Sequence, residues 1–163
     1  MEIDSILVPE RTFSSIETSS KKRAIEIAAD LIARTEPACA AGEVYRGLID
    51  REKLGPTAVG HGIAIPHCRL KNCTKTICAL FRLSEGMDFG AFDDELVTLM
   101  FVLLFPGNEE ADHLHTLAML AKRIESETYL KGLKLAKDDR ELFEMALWNP
   151  EEEASHSHHK GTS

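Results

Sequence analysis

The sequence predicts an α/β fold, a three-layer α/β/α sandwich with a central mixed sheet flanked by helices. Three observations predict it. Two segments with helical spacing of apolar residues come first, around Ala24–Ile32 and Ala41–Leu54. Strand-like segments follow and end in the almost wholly apolar run Val97–Phe105, which suits a central strand covered on both faces. Helical spacing then returns. A helix pair, strands and more helices therefore imply a sheet sandwiched between two helical layers.

Each element has its own signal. Met1–Ser20 is polar with isolated Ile3, Ile6, Leu7 and Val8, enough for a short strand or a capping segment. Ala24, Ile27, Ala28, Leu31 and Ile32 share one helical face, with Ser20 as N-cap. Lys21, Lys22 and Arg23 suit the positive end of a helix dipole poorly and read as a solvated face. A second helix fits Ala41–Leu54, with Val44, Leu48 and Ile49 inward and Gly55-Pro56 as its stop. Gly60 and Gly62 signal a turn or bulge; Ile63 and Ile65 alternate as in a short strand, and Thr76–Leu83 is another. Asp112–Ile124 places His113, Leu117, Leu120 and Ile124 on one stripe, and Glu127–Leu135 and Asp138–Trp148 complete the helices. Residues 1–150 are expected to form one domain, and Glu151–Ser163 an acidic, histidine-rich disordered tail.

Composition narrows the function. A net charge of -8 argues against a nucleic-acid partner, because phosphate-backbone binding needs a basic face. The longest strongly apolar run, Leu96–Pro106, is far short of the ~20 residues of a membrane span, so no membrane insertion is expected. The start Met1-Glu2-Ile3-Asp4 carries neither a basic region nor an apolar signal core, so a cytoplasmic location is expected. Cys39, Cys68, Cys73 and Cys78 form no Cys-x-x-Cys pair and read as reduced, partly buried thiols.

The seven histidines are the feature to follow. His67 comes directly after Ile63-Ala64-Ile65-Pro66. Proline removes a backbone donor, so the chain is expected to leave the sheet there, with His67 at a strand end near the surface. A neutral imidazole at that place has a free ring nitrogen able to attack phosphorus. Taken alone, His67 reads more readily as a histidine packed under a loop, His113 as a core histidine, and Arg51 as paired with Asp50 or Glu52 on a helix end. His115 lies off the apolar stripe, His61 sits between glycines, and His156, His158 and His159 belong to the tail.

The surrounding pattern resembles a known family. Glu52, Val59-Gly60 and Ile63-Ala64-Ile65-Pro66-His67-Cys68 resemble the phosphorylation-site signature of enzyme IIA domains of the mannitol/fructose class of the bacterial phosphotransferase system. Ser20-Lys21-Lys22-Arg23-Ala24, Arg51-Glu52-Lys53-Leu54-Gly55 and His113-Leu114-His115-Thr116-Leu117 are similar to its nitrogen-related branch, and the likeness runs in order from about Ile6 to Leu147. Cys68 stands where the family often has glycine.

The resemblance implies a phosphocarrier whose His67 accepts a phosphoryl group, as tele-phosphohistidine, from an HPr-like phosphocarrier protein. Arg51 and His113 match the positions beside the active histidine. A guanidinium offers a fork of donors that fits phosphate oxygens, and phosphoryl transfer needs mainly positioning and charge stabilisation. No cofactor or metal is implied. In this branch the phosphorylated and free forms regulate targets such as sensor kinases or transport systems, in nitrogen- or potassium-related control. Three alternatives stand beside it. One is a fructose- or mannitol-type component that passes phosphate to a IIB domain. Another is a metal-binding module built on His61, His67, His113 and His115. The third is a purely structural adaptor that is never phosphorylated.

Overall fold

The computed structural model describes residues 2–107 and 110–150. The expected tail, 151–163, lies outside the described residues. After a 3-10 turn at Ile3–Ser5, the order is β1 (Leu7–Ile16), α1 (Lys21–Thr35), α2 (Ala41–Leu54), β2 (Ala58–Gly60), β3 (Ile63–Ala64), β4 (His67–Leu70), β5 (Ile77–Met87), β6 (Val97–Pro106), α3 (Glu110–Ile124), α4 (Glu127–Leu135) and α5 (Asp139–Leu147).

The strands form one mixed sheet in the order β1-β5-β6-β3-β2, with β4 also paired to β6. The β1–β5, β3–β6 and β4–β6 pairs are parallel, and β5–β6 and β2–β3 antiparallel. The central strands sort their side chains by the two-residue period of a pleated strand. Met100, Val102 and Leu104 of β6, with Ala79 and Phe81 of β5, pack against α1 and α2. Leu99, Phe101, Leu103 and Phe105, with Cys78 and Leu80, pack against α3, α4 and α5. The expected three-layer α/β/α sandwich with a mixed central sheet is therefore the observed one.

The helix ends follow their caps. Ser20 Oγ accepts from Arg23 N at 3.1 Å, Ser126 Oγ from Tyr129 N at 3.2 Å and Asp138 Oδ1 from Glu141 N at 2.8 Å. Gly55 stops α2 as expected. At the β2–β3 turn Gly60, His61 and Gly62 all have positive φ (90°, 59° and 79°), a run for which glycine is the permissive residue.

Several expectations need correction. The buried face of α1 is Ala24, Ile25, Ala28, Ala29 and Ile32, so the stripe is rotated away from Ile27 and Leu31. The N-terminal segment is a ten-residue edge strand rather than a short one. Polar residues hide it: the Arg11 guanidinium is buried, donating to Cys78 O at 3.0 Å and Ile6 O at 2.9 Å and pairing with Glu36. The chain also does not leave the sheet at Pro66. Pro66 O accepts from Leu103 N at 2.9 Å, and β4 resumes pairing along the same edge of β6. His67 therefore opens a strand and is only 9% exposed, instead of standing at the surface on a strand end. The four cysteines are buried free thiols.

Candidate functional site

Three elements converge where β4 meets β6. The register sets His67 beside Leu103, two residues before Phe105. The chain then enters α3, whose first turn carries His113. The His113 ring stacks on Phe105, with centroids 4.2 Å apart and planes 11° from parallel. That stack presents the ring edge-to-face to His67, at 5.2 Å and 80°. Arg51 comes from the last turn of α2, where its Nη1 donates to Gly55 O at 2.9 Å.

The backbone fixes the tautomer of His67. Its Nδ1 lies 2.7 Å from Ile65 O, two residues back. A carbonyl can only accept, so Nδ1 carries the proton and donates, and the Nε2 lone pair is left free. Burial pushes the His67 pKa below its ordinary value. The bond to Ile65 opposes that shift; the Arg51 charge adds to it, and Glu52 opposes it. The outcome is a neutral, oriented imidazole with one unoccupied nitrogen, beside a second imidazole and within the field of a guanidinium. Such a group can act as a nucleophile toward an electrophilic phosphorus.

The pattern matched at residues 5–147 is that of the "Phosphoenolpyruvate-dependent sugar phosphotransferase system, EIIA 2" family. The chain belongs to this EIIA type-2 family. Its members are phosphotransferase-system components, and this chain falls with the nitrogen regulatory branch. It is 37% identical over 146 residues to a nitrogen regulatory protein of Klebsiella oxytoca, covering 89% of this chain and 90% of that protein. Among solved structures it is similar to the nitrogen regulatory protein IIA-Ntr of Neisseria meningitidis, with a TM-score of 0.82 and 33% identity over 88% of this chain and 97% of that one. The EIIA fold extends to the sugar branch: IIA mannitol of Escherichia coli, solved in complex with phosphorylated IIB mannitol, gives a TM-score of 0.69 and 26% identity over 83% and 93% of the two chains.

Of the candidate residues in this EIIA domain, His67 and His113 are in ring contact, and Arg51 is near enough for its charge to act on His67. Arg51 bonds the Gly55 carbonyl rather than pairing with Asp50 or Glu52, and Glu52 pairs with Lys21 instead. Lys21 is thus a partner to a buried carboxylate, not part of a solvated face. His61 is elsewhere. Gly62 O accepts from Leu99 N while His67 sits at Leu103, so His61 lies upwards of about 13 Å away along β6. His115 is exposed and lines a separate cavity of about 210 Å³ with Met119 and Arg123. Among the described residues no group of three or more His, Cys, Asp or Glu side chains is placed to hold a metal ion. Nor, among them, is any helix long and apolar enough to cross a membrane.

Glu52 and Thr57 are the polar residues of this region to which the sequence reading assigned no role. Thr57 N and Oγ1 both donate to the Glu52 carboxylate, at 3.1 and 2.5 Å. A signal for Glu52 was present: Val44, Leu48 and Glu52 recur at intervals of four, which sets a carboxylate on the inward stripe of α2.

Proposed function

We propose that this EIIA-type chain is a cytoplasmic phosphocarrier. His67 accepts a phosphoryl group at Nε2 from an HPr-like phosphocarrier protein, and the phosphorylation state of the chain regulates target proteins. The observation that best supports this reading is the Nδ1–H···O=C bond to Ile65, which leaves Nε2 as the free nitrogen of a neutral ring. In the transfer the Nε2 lone pair forms the new N–P bond as the donor's P–N bond breaks, and the electron pair returns to the donor nitrogen. His67 keeps its Nδ1 proton throughout. Arg51, with one of its five N–H donors engaged at Gly55, offers positive charge to the phosphoryl oxygens. His113 offers a ring N–H to them.

A new group bearing negative charge beside His113 and Arg51 changes the surface a target meets, which is how a phosphoryl mark is read. The similarity to nitrogen regulatory proteins supports a regulatory output of this kind, and the resemblance to the nitrogen-related branch suggests sensor kinases or transport systems as the targets. A second reading is onward transfer to a IIB domain, favoured by the likeness to the mannitol protein solved with its phosphorylated IIB partner.

The test is incubation with phosphorylated HPr-like donor. The chain is expected to gain one acid-labile, base-stable phosphoryl group, and a folded His67→Ala variant none; labelling retained in that variant overturns the assignment. Adding a fructose- or mannitol-type IIB domain to the labelled protein separates the two readings, since the label stays in place under the first and moves under the second.

A further inference from the structure

A buried carboxylate lies behind the candidate site. Glu52 is only 9% exposed and accepts from Thr57 N, Thr57 Oγ1 and Lys21 Nζ, the last at 2.6 Å. A carboxylate taken out of water is costly unless it is paired and hydrogen-bonded, and here it is both. What this cluster holds is the start of a continuous run of bonds. Thr57 O accepts from Ile65 N at 2.9 Å, and Ile65 O accepts from His67 Nδ1 at 2.7 Å. Between them Pro66 has no N–H, and its carbonyl is engaged by Leu103 N. The Ile65 peptide therefore has Thr57 on one side and the His67 imidazole on the other. Lys21 anchors the far end. Its Nζ stands 5.1 Å from the Phe89 ring centre and 3.4 Å from Phe89 O, so the first turn of α1 is tied to the same cluster.

We propose that Glu52 is a positioning residue for His67, acting through Thr57 and the Ile65 carbonyl with Lys21 as its counter-charge. By pinning Thr57 through both its amide and its hydroxyl, Glu52 fixes where the Ile65 carbonyl points. That carbonyl selects the Nδ1–H tautomer and the ring direction that leave Nε2 as the nucleophile. Carboxylates behind a working histidine act in this way by orientation, without touching the reacting atoms. The proposal rests on the reading of His67 as the phosphoryl acceptor.

Two variants of the full chain test it. Glu52→Gln keeps the size and removes the charge that pairs with Lys21. Thr57→Val removes the hydroxyl and keeps the β-branched shape, so it also serves should Glu52→Gln fail to fold. Long-range proton–nitrogen NMR of the unphosphorylated protein reads the His67 tautomer directly, and phosphorylation is followed against donor concentration. Wild type is expected to show a single Nδ1–H tautomer. Each folded variant is expected to show a mixture, with a saturating phosphorylation rate lowered about ten- to a hundred-fold. The donor concentration at half-saturation should be unchanged, because Glu52 is buried and offers a donor little surface. A pure Nδ1–H tautomer in the folded variants overturns the proposal, whatever their rates. Failure of wild type to be phosphorylated would instead count against the phosphocarrier reading, and the tautomer measurement would still decide the role of Glu52.

Discussion

At the residue scale, the proposed phosphoryl transfer depends on keeping one imidazole neutral and turned the right way. Burial lowers the His67 pKa below its ordinary value, so the nucleophilic form persists to lower pH than in an exposed histidine. Phosphorylation by a pH-insensitive donor should therefore stay level as pH falls through about 6.5 and drop only below that. The same shift has a sign for stability. Below about 6.5 the unfolded chain protonates this ring before the folded chain does, so the His67 contribution is full above that value and declines as pH falls toward the folded pKa. A proton titration of His67 by NMR alongside chemical denaturation checks both. Arg51→Ala should slow phosphorylation about 10²-fold by removing preorganised charge from the developing phosphoryl oxygens, and His113→Ala by a similar factor. Single-turnover labelling of variants with unchanged circular dichroism measures this. The segment Ile63-Ala64-Ile65-Pro66-His67 made His67 stand out in the sequence. The bond that fixes its tautomer did not, because a side chain reaching the carbonyl two residues back depends on the break between β3 and β4 at Ile65-Pro66.

At the element scale, α2 and β4 meet through a small residue. A methyl placed on Gly47 of α2 would lie 2.8 Å from Cys68 Sγ, 3.3 Å from Cys68 Cβ and 3.3 Å from Leu70 Cδ2. Glycine there lets the helix that carries Arg51 approach the strand that starts at His67, and Cys68 fills the space above it. Gly47→Ala gains at most about 1 kcal/mol of helix propensity and incurs an overpacking cost of about 1–3 kcal/mol, so it should destabilise the wild-type protein. In a Cys68→Ala background the Sγ contact is gone, and the same substitution should become neutral or stabilising. Urea denaturation of the four proteins of this double-mutant cycle gives the two signs. Elements with a strong period were legible in sequence: α4 at Glu127–Leu135 and α2 at Ala41–Leu54 match their expected bounds. The misread ones have physical reasons. Buried Arg11 and Thr12 mask β1, β2 spans just three residues, and β4 hides behind a proline that ordinarily ends a strand.

At the scale of the whole molecule, the central strand joins two cores. Phe101 of β6 is fully buried on the α3–α5 face while its neighbours Met100 and Val102 face α1 and α2. Phe101→Ala should cost about 3–5 kcal/mol. Because both layers lean on the same strand, the loss should appear as one lowered transition, coincident by fluorescence and circular dichroism, rather than as separate melting of one layer. The layered architecture was legible because it follows from element order and from the apolar run Val97–Phe105. The convergence of Arg51, His67 and His113 from α2, β4 and α3 was not legible from spacing, since strand register sets it; resemblance to the family supplied it. The claim on which everything else stands is that phosphate arrives at Nε2 of His67. Nitrogen-15 and phosphorus-31 NMR of the protein after incubation with phosphorylated HPr-like donor tests it most directly. A single phosphohistidine, coupled through Nε2 of His67 with Nδ1 still protonated, is the predicted result; phosphate on Nδ1, or on any other residue, would contradict it.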